Sequence, residues 1–467
     1  ELYDEYARTD DYDYDEGAYG VMSWWDYGHW ITAQGDSIPN ANPFQQGSTD
    51  AARFLTSQNE TDANNVLASI DEDDAKTRYV MVDWKMAETE TNVNGKFFAP
   101  IRFNPDTDRS DFYSRVASVT ENGLQTRGIW QKQPYYNSTL TRLYRYHGSA
   151  QEPAPVVTDW QGAERQLGGT STFVNPPSDG QSVKFFDNMS AARDFVEQDG
   201  TAQVGGIGPY PAERVPAMEH YRLVHMSDFS GTQGRLSQVL TRDILATGVA
   251  QRFTQGNTSQ SQAYARAANF LYPNTPSWVK TFERVDGATI EGSGPANTTL
   301  TLSVEMSPQT GGVTVLPRSR TDVGGLRNGN FTYTQQVQTD ADGEFTATVP
   351  YSTTGYDELG PEEGYTNTTV QATGPYRITS PRAFEGREIV QQTATVNVTE
   401  AQVVGVDDSA VTADLQRQVL ANLSQDNQDN ASNSPTDNTE TNGDTGTNTT
   451  NSLRGEIATG AARVAGS

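Results

Sequence analysis

The chain has 467 residues and a mass of 51.0 kDa, which predicts two to four domains at roughly 100 to 200 residues each. Asp and Glu number 60 against 33 Lys and Arg, and the resulting net charge of -27 excludes nucleic-acid binding through bulk charge, because carboxylates repel phosphates. Cysteine is absent, which excludes disulfides, thiolate metal sites and a cysteine nucleophile.

Lysine is scarce, and arginine supplies the remaining cations. An acidic, lysine-poor surface suits a protein that must stay soluble in concentrated salt, so we expect a halophilic source. No apolar run approaches the roughly 18 residues that a membrane-spanning helix needs, so none is predicted. The lysines are Lys76, Lys85, Lys96, Lys132, Lys184 and Lys280.

An aromatic stretch, residues 19–31, follows a Tyr- and Asp-rich lead-in, residues 1–16, which lacks helical or strand period and which we expect to be a tether. Trp24 and Trp25 each carry an indole N–H that only donates, whereas ionised Asp26 only accepts. Together these three side chains can surround a single hydroxyl. The alternative interpretation is an aromatic core cluster with Asp26 as a cap.

The residues around this stretch predict the backbone turns, helices and strand that hold it in place. Gly20 and Gly28 bracket the tryptophans, which indicates a backbone that turns there or lets a ligand come close. Apolar residues at helical spacing predict two short helices, at Thr49 to Ser57 and at Asp62 to Ile70. A buried strand is expected at Arg78 to Asp83.

Residues 24–28 read WWDYG, which resembles the signature of the catalytic subunit of oligosaccharyltransferases, the enzymes of N-linked protein glycosylation. The flanking residues 21–23, 29–31 and 38–45 and the block at 215–225 are similar to the archaeal form, AglB, and extend the resemblance to residue 285. The resemblance implies that Trp24, Trp25 and Asp26 hold the Ser or Thr hydroxyl two residues after the acceptor asparagine, with Tyr27 and Gly28 in support.

A second motif of that family is an Asp with a Lys or Met three positions later, on a short helix packed beside the WWDYG segment. Asp83 and Met86 match this spacing, whereas Lys85 lies one position early for the Lys version. The resemblance implies that Met86 touches the methyl of an acceptor threonine, and that Asp83 and Lys85 give support. The alternative is that Met86 fills the core and that Lys85 is solvated.

The predicted fold is α+β. A mixed α/β core spans residues 17–285, with an insert around 150–185 that is rich in Gly and Pro. Within this core we expect three further strands and one helix. The strands are predicted at Phe97 to Phe103, Thr126 to Gln131 and Leu140 to Tyr146, and the helix at Ala191 to Gln198.

Beyond residue 285 the apolar period changes to two, as on Leu300, Leu302 and Val304, which predicts a β-sandwich-like peripheral module at 286–406. Residues 407–467 are predicted to form one amphipathic helix, through Leu415 and Val419, and then a low-complexity tail. Because the tail is almost devoid of apolar residues, we expect it to be disordered.

The resemblance also implies cofactors, partners and a location. The family enzyme uses Mg²⁺ or Mn²⁺ held by a multi-helix membrane domain, so the chain looks like the soluble C-terminal portion that follows it, and we expect the isolated chain to be inactive. The implied partners are the Asn-X-Ser/Thr acceptor peptide, the lipid-linked oligosaccharide and the chain's own N-terminal membrane domain. Scattered Asn-X-Ser/Thr sequons favour a location outside the cell, here the extracellular face of the membrane.

Two other functions compete with acceptor recognition. A glycosidase would use tryptophan platforms and a carboxylate pair, although no pair stands out among so many acidic residues. A non-catalytic cell-envelope or surface-layer module would account for the β-rich half and the acidic surface. Bound ligand separates the three, since they predict contact with sequon peptide, with sugar, or with neither.

Overall fold

The computed structural model describes residue 14 and residues 17–71, 75–89, 95–121, 123–159, 163–167, 170–174, 183–227, 249, 253, 259–272, 277–308 and 330–422. The predicted tether, except for Tyr14, and the predicted disordered tail lie outside these residues. Within the described part of the chain, no helix is both long enough and apolar enough to cross a membrane.

The described elements comprise short helices and strands in several sheets, which confirms the α+β class. The helices are α1 Gly28–Gly35, α2 Ser48–Thr56, α3 Glu60–Ile70, α4 Trp84–Ala87, α5 Phe98–Phe103, α6 Arg109–Phe112, α7 Gln133–Asn137, α8 Thr139–Tyr146, α9 Met189–Asp199, α10 Gln260–Leu271 and α11 Glu400–Val403. Two 3-10 turns occupy Trp25–Tyr27 and Pro361–Glu363.

The strands before residue 285 are β1 Gly20–Ser23, β2 Ile38–Pro39, β3 Thr77–Asp83, β4 Tyr113–Thr120, β5 Gly123–Gln131, β6 Val156–Thr158, β7 Ala163–Leu167, β8 Thr170–Val174, β9 Val183–Phe185, β10 Gln203–Val204, β11 Tyr221–Met226 and β12 Val279–Arg284. Those after it are β13 Ala288–Ser293, β14 Thr299–Pro308, β15 Phe331–Gln338, β16 Glu344–Val349, β17 Val370–Ala372, β18 Tyr376–Thr379, β19 Ala383–Glu385, β20 Glu388–Val396, β21 Val411–Asp414 and β22 Gln416–Asn422.

A five-stranded sheet in the order β11-β12-β3-β1-β2 carries the aromatic stretch. Its central strand pair, β1 and β3, is parallel, with Ser23 opposite Met81. The carboxyl ends of parallel neighbours meet at the same edge of a sheet, so the residues that follow β1 and those that follow β3 lie side by side. This pairing brings the WWDYG segment and the Asp83–Met86 segment together.

The helices predicted at 49–57 and 62–70 are confirmed as α2 and α3. Asn59 is the N-cap of α3, because its side-chain oxygen accepts the backbone N–H of Asp62 at 2.8 Å. The strand at 78–83, the strand at 126–131 and the helix at 191–198 are confirmed as β3, β5 and α9. Local pattern was sufficient for these elements.

Two predicted strands are wrong, since Phe97 to Phe103 and Leu140 to Tyr146 form helices α5 and α8. All eight residues of α8 are buried, so its alternation of apolar and polar residues does not separate a core face from a solvent face. Ser138 caps α8 by accepting the N–H of Thr141. In α5, Pro100 lies in the first turn, where its missing N–H is tolerated better than in a strand ladder.

The region around 150–185 contains four short strands that the sequence reading did not predict. β8 pairs in parallel with β4, and β6 lies between β9 and β10. The described part of this region is therefore paired into two sheets. The bounds of this insert and of the predicted domains stay predictions.

The period-two pattern beyond residue 285 is confirmed by two sheets. One has the order β16-β13-β21, and the other joins β15, β14, β18, β20 and β19, with β17 and β22 attached at its sides. The helix predicted after residue 407 is wrong, because that segment forms β21 and β22. Val419 pairs with Val390 of β20, so backbone ladder bonds take the place of the helix that its spacing to Leu415 indicated.

Candidate functional site

The aromatic stretch leaves the sheet at the carboxyl end of β1. Trp24 is extended, with φ -66° and ψ 144°, and residues 25–27 then form a 3-10 turn before α1 begins at Gly28. The N–H of Tyr27 donates to the carbonyl of Trp24 at 3.1 Å, which closes the turn. The candidate residues Trp24, Trp25 and Asp26 therefore lie together at one tight turn.

Gly28 and Gly20 allow close approach of the protein's own chain at this turn. A Cβ on Gly28 would lie 2.8 Å from the carbonyl oxygen of Ala41 and 2.8 Å from Cα of Asn42. A Cβ on Gly20 would lie 2.9 Å from Oδ1 of Asn40. The expected approach of a ligand to these glycines stays a prediction, since the segment around residues 40–42 is what packs against them here.

The two tryptophans differ in exposure. Trp24 is 2% exposed and packs edge-to-face against Phe103, with ring centroids 5.4 Å apart. Trp25 is half-buried at 6.0 Å from Trp24, and its indole Nε1 is shielded from solvent with no hydrogen-bond partner among the described residues. A shielded donor without a partner costs about 1 to 3 kcal/mol. Trp24 is thus closed to solvent by its packing, whereas the indole donor of Trp25 has no partner among the residues described.

Asp26 forms an ion pair that the sequence reading missed. Nζ of Lys96 lies 2.7 Å from Oδ2 of Asp26, and the two side chains are 37% and 33% exposed. These residues are 70 positions apart, and no local spacing links them. Only the tertiary structure brings this cation to the candidate site.

Tyr27 connects the two motifs. Its phenol bonds to the carboxylate of Asp83, whose Oδ1 also accepts the N–H of Met86 at 2.9 Å and so caps α4. Burial raises the pKa of Tyr27, and the charge of Asp83 raises it further, so the phenol stays protonated and remains a donor. Burial likewise raises the pKa of Asp83, although its hydrogen bonds oppose this.

Met86 and Lys85 occupy different environments on α4. Met86 is 2% exposed and belongs to the same buried cluster as Trp24. Lys85 is half-buried, and its carbonyl accepts the N–H of Lys96 at 2.6 Å. All the site residues predicted from sequence therefore lie at one edge of the central sheet, with Met86 on its buried side.

The described residues contain no group of three or more His, Asp or Glu side chains that could hold a metal ion. The acidic residues nearest the turn, Asp26 and Asp83, bond to Lys96, to Tyr27 and to backbone N–H groups. The described residues around the turn consequently do not fit a divalent cation.

Comparison with protein families gives two matches. The model of the AglB core domain matches residues 4–87, and that of the archaeal glycosylation protein B long peripheral domain matches residues 318–408. Two solved structures of the Archaeoglobus fulgidus oligosaccharyltransferase are each 19% identical in sequence to this chain and match 89% of it. The complex with Zn and sulfate has a TM-score of 0.48, and 44% of its chain is matched. The complex with an inhibitory peptide and a dolichol-phosphate has a TM-score of 0.47, and 40% of its chain is matched.

Two curated relatives cover most of the chain. The dolichyl-monophosphooligosaccharide–protein glycotransferase AglB of Haloferax volcanii is 47% identical over 430 residues, 89% of this chain. The dolichyl-phosphooligosaccharide-protein glycotransferase 3 of Archaeoglobus fulgidus is 25% identical over 389 residues, 75% of this chain. The chain spans 37% and 36% of the lengths of these relatives. Over the portion that it spans, this chain belongs to the archaeal AglB family.

Proposed function

We propose that this chain is the acceptor-recognition portion of an oligosaccharyltransferase. In this proposal, Trp24, Trp25 and Asp26 recognise the Ser or Thr hydroxyl of an Asn-X-Ser/Thr sequon. The 47% identity to a glycotransferase that is named for a dolichyl-linked oligosaccharide and a protein acceptor supports the reaction class. The geometry of the turn supports the role of this chain in that reaction.

One observation carries the proposal. The indole N–H of Trp25 has no hydrogen-bond partner in the described part of the chain, and the adjacent residue, Asp26, presents a partly exposed carboxylate. A hydroxyl can donate to a carboxylate and accept from an indole at the same time, so it satisfies both groups. Because Nε1 of Trp25 is shielded, we expect neighbouring side chains to shift when the hydroxyl enters.

Glycan transfer needs groups that the described residues do not offer. An amide nitrogen is a poor nucleophile, and a divalent cation, Mg²⁺ or Mn²⁺ in this proposal, stabilises the leaving phosphate. We propose that an N-terminal membrane domain holds the cation and the lipid-linked oligosaccharide, as the family resemblance implies. This arrangement puts the chain on the extracellular face of the membrane and leaves the isolated chain without transferase activity.

Met86 keeps its proposed contact with the acceptor threonine methyl. A thioether is a soft, apolar partner for a methyl group. Because Met86 is buried, we expect it to make that contact only after neighbouring side chains shift, as proposed for Trp25.

The proposal can be tested with the chain labelled by 5-fluorotryptophan, since its seven tryptophans give a small set of fluorine NMR signals. Trp24→Phe and Trp25→Phe assign the two signals of interest. We expect these signals to move with an Asn-X-Thr peptide and to stay in place with Asn-X-Ala. The signal of Trp130, which packs in a separate small cluster with Val116, is the internal control.

Three results would contradict the proposal. Equal responses to the Thr and Ala peptides would mean that the hydroxyl is not recognised. A response to free oligosaccharide alone would favour the glycosidase. No response to either ligand would favour the cell-envelope module.

A further inference from the structure

We propose that Lys96 is a positioning residue for Asp26, an inference that rests on the proposed function. In this proposal, the Lys96 ammonium fixes one oxygen of the Asp26 carboxylate so that the other oxygen points to the acceptor hydroxyl. Lys96 therefore sets how strictly a hydroxyl is required, although it does not itself touch that hydroxyl.

The geometry leaves one carboxylate oxygen available. Nζ of Lys96 bonds to Oδ2 of Asp26 at 2.7 Å, and Oδ1 has no hydrogen bond among the described residues. A carboxylate can accept at both oxygens, and a charge-assisted bond to one oxygen limits rotation of the group. The other oxygen, Oδ1, is then held in one orientation.

The backbone of Lys96 is fixed to the second motif. Its N–H donates to the carbonyl of Lys85, and the N–H of Phe97 donates to the carbonyl of Glu88 at 3.1 Å. A Cβ on Gly95 would lie 2.1 Å from that same Glu88 carbonyl oxygen, so only glycine allows the approach. The ammonium therefore starts from a backbone held against the end of α4.

Buried side chains hold Glu88, which bonds to the backbone beside Lys96, in place. The carboxylate of Glu88 bonds to Nη2 of Arg145 at 2.7 Å, and both side chains are buried. Nε of Arg145 donates to the phenol of Tyr135, whose own O–H donates to the carbonyl of Ala87. A continuous set of bonds thus runs from the core through Glu88 to the backbone beside Lys96.

If Lys96 served only to stabilise the fold, Lys96→Ala would lower the melting temperature. Ion pairs between partly exposed side chains contribute little to folding stability. Lys96→Ala should therefore leave the melting temperature nearly unchanged, so any loss of hydroxyl discrimination cannot be attributed to unfolding. Lys132→Ala is the matched control, because Lys132 is similarly exposed and pairs with Glu164 at 3.7 Å.

The test is a double-mutant cycle, in which dissociation constants for Asn-X-Thr and Asn-X-Ala peptides are measured on the full chain. We expect Lys96→Ala to lower the preference for Thr over Ala by about tenfold, as for loss of one charge-assisted hydrogen bond. Lys96→Arg should retain most of the preference, and Lys132→Ala all of it. In an Asp26→Ala background, Lys96→Ala should have no further effect.

Several outcomes would overturn the inference. Lys96→Ala could leave the preference unchanged, weaken both peptides equally, or weaken binding as much without Asp26 as with it. If the parent itself shows no preference for Thr over Ala, the proposed function fails together with this inference. If the parent discriminates and Lys96→Ala discriminates equally well, only the role of Lys96 fails.

Discussion

Charged groups are arranged differently at the recognition turn and at the junction between the central sheet and the β-rich part. At the junction, Arg222 is 1% exposed, and its Nη2 lies 2.7 Å from carboxylate oxygens of both Glu283 and Glu400. Further bonds come from Arg78 to Glu283 and from Ser352 to Glu400. At the turn, by contrast, Asp26 is partly exposed and bonds to Lys96 through one oxygen.

This difference distinguishes charged groups that stabilise the fold, at the junction, from charged groups that are able to bind a ligand, at the turn. Buried charges are tolerated when hydrogen bonds saturate them, and a saturated network has no capacity left for a ligand. At the turn, Nε1 of Trp25 and Oδ1 of Asp26 have no hydrogen-bond partner within the ranges that the structure describes. Groups that a fold leaves unsatisfied in this way are the groups that a substrate can satisfy.

The comparison predicts its largest effect at Arg222. Arg222→Ala should lower the free energy of unfolding by about 3 to 5 kcal/mol, because it removes the cation shared by two buried carboxylates and leaves Glu283 with Arg78 alone. Arg417 also contacts two glutamates, Glu385 and Glu388, but on the surface. Urea denaturation of Arg222→Ala and Arg417→Ala measures the contrast, and similar losses in both would remove the distinction between the regions.

A somewhat smaller effect is expected at Met86. Met86→Ala should destabilise the chain by about 2 to 5 kcal/mol, because it opens a cavity in the cluster that contains Trp24. Met86→Leu keeps the volume and should change stability by less than about 1.5 kcal/mol. In the full-length enzyme, both variants should narrow the preference for Thr over Ser acceptors, and an unchanged preference would show that Met86 only packs.

The smallest effect is a pH dependence at the junction. Burial alone would raise the pKa of Glu283, but the charge of Arg222 and the hydrogen bonds from Thr366 and Arg222 outweigh it and leave the pKa lowered. A lowered folded-state pKa adds stability that is present above the unfolded value of about 4.3 and is lost as the pH falls through the folded value.

Glu283→Gln removes this contribution. The stability difference between the parent and Glu283→Gln should therefore shrink as the pH is lowered below the ordinary range of a glutamate carboxyl. Urea titrations of both proteins at several pH values test the sign. A difference that grows on acidification would mean that Glu283 is not held ionised by Arg222.

Sequence pattern was sufficient where an interaction is local. The WWDYG residues and the Asp83–Met86 spacing carried a family resemblance that implied two motifs side by side, and the parallel pairing of β1 with β3 brings them together. The cap at Asp83 follows the same local logic, since it spans three residues. The cap and the spacing within each motif depend on neighbours in the chain, whereas the contact between the motifs depends on strand pairing.

Sequence pattern did not predict features that are determined by burial or by contacts between residues far apart in the chain. The buried residues of α8 include Arg142 and Arg145, and polar residues on a fully buried helix imitate the alternation of a strand. Lys96 reaches Asp26, and Arg222 reaches Glu400, only through the tertiary fold. Charge-pair partners far apart in sequence have no spacing signature.

The most direct test of the recognition turn is turnover of an Asn-X-Thr peptide by the full-length enzyme carrying Asp26→Ala. Sites built to bond a substrate hydroxyl reject the analogue that lacks it by on the order of 10⁴-fold, so we predict a severe loss of kcat/KM in this variant. Unchanged melting temperature is the control for folding. A kcat/KM within about twofold of the parent, far below the effect of one lost hydrogen bond to a charged group, would contradict the hydroxyl clamp and return the aromatic cluster to a packing role.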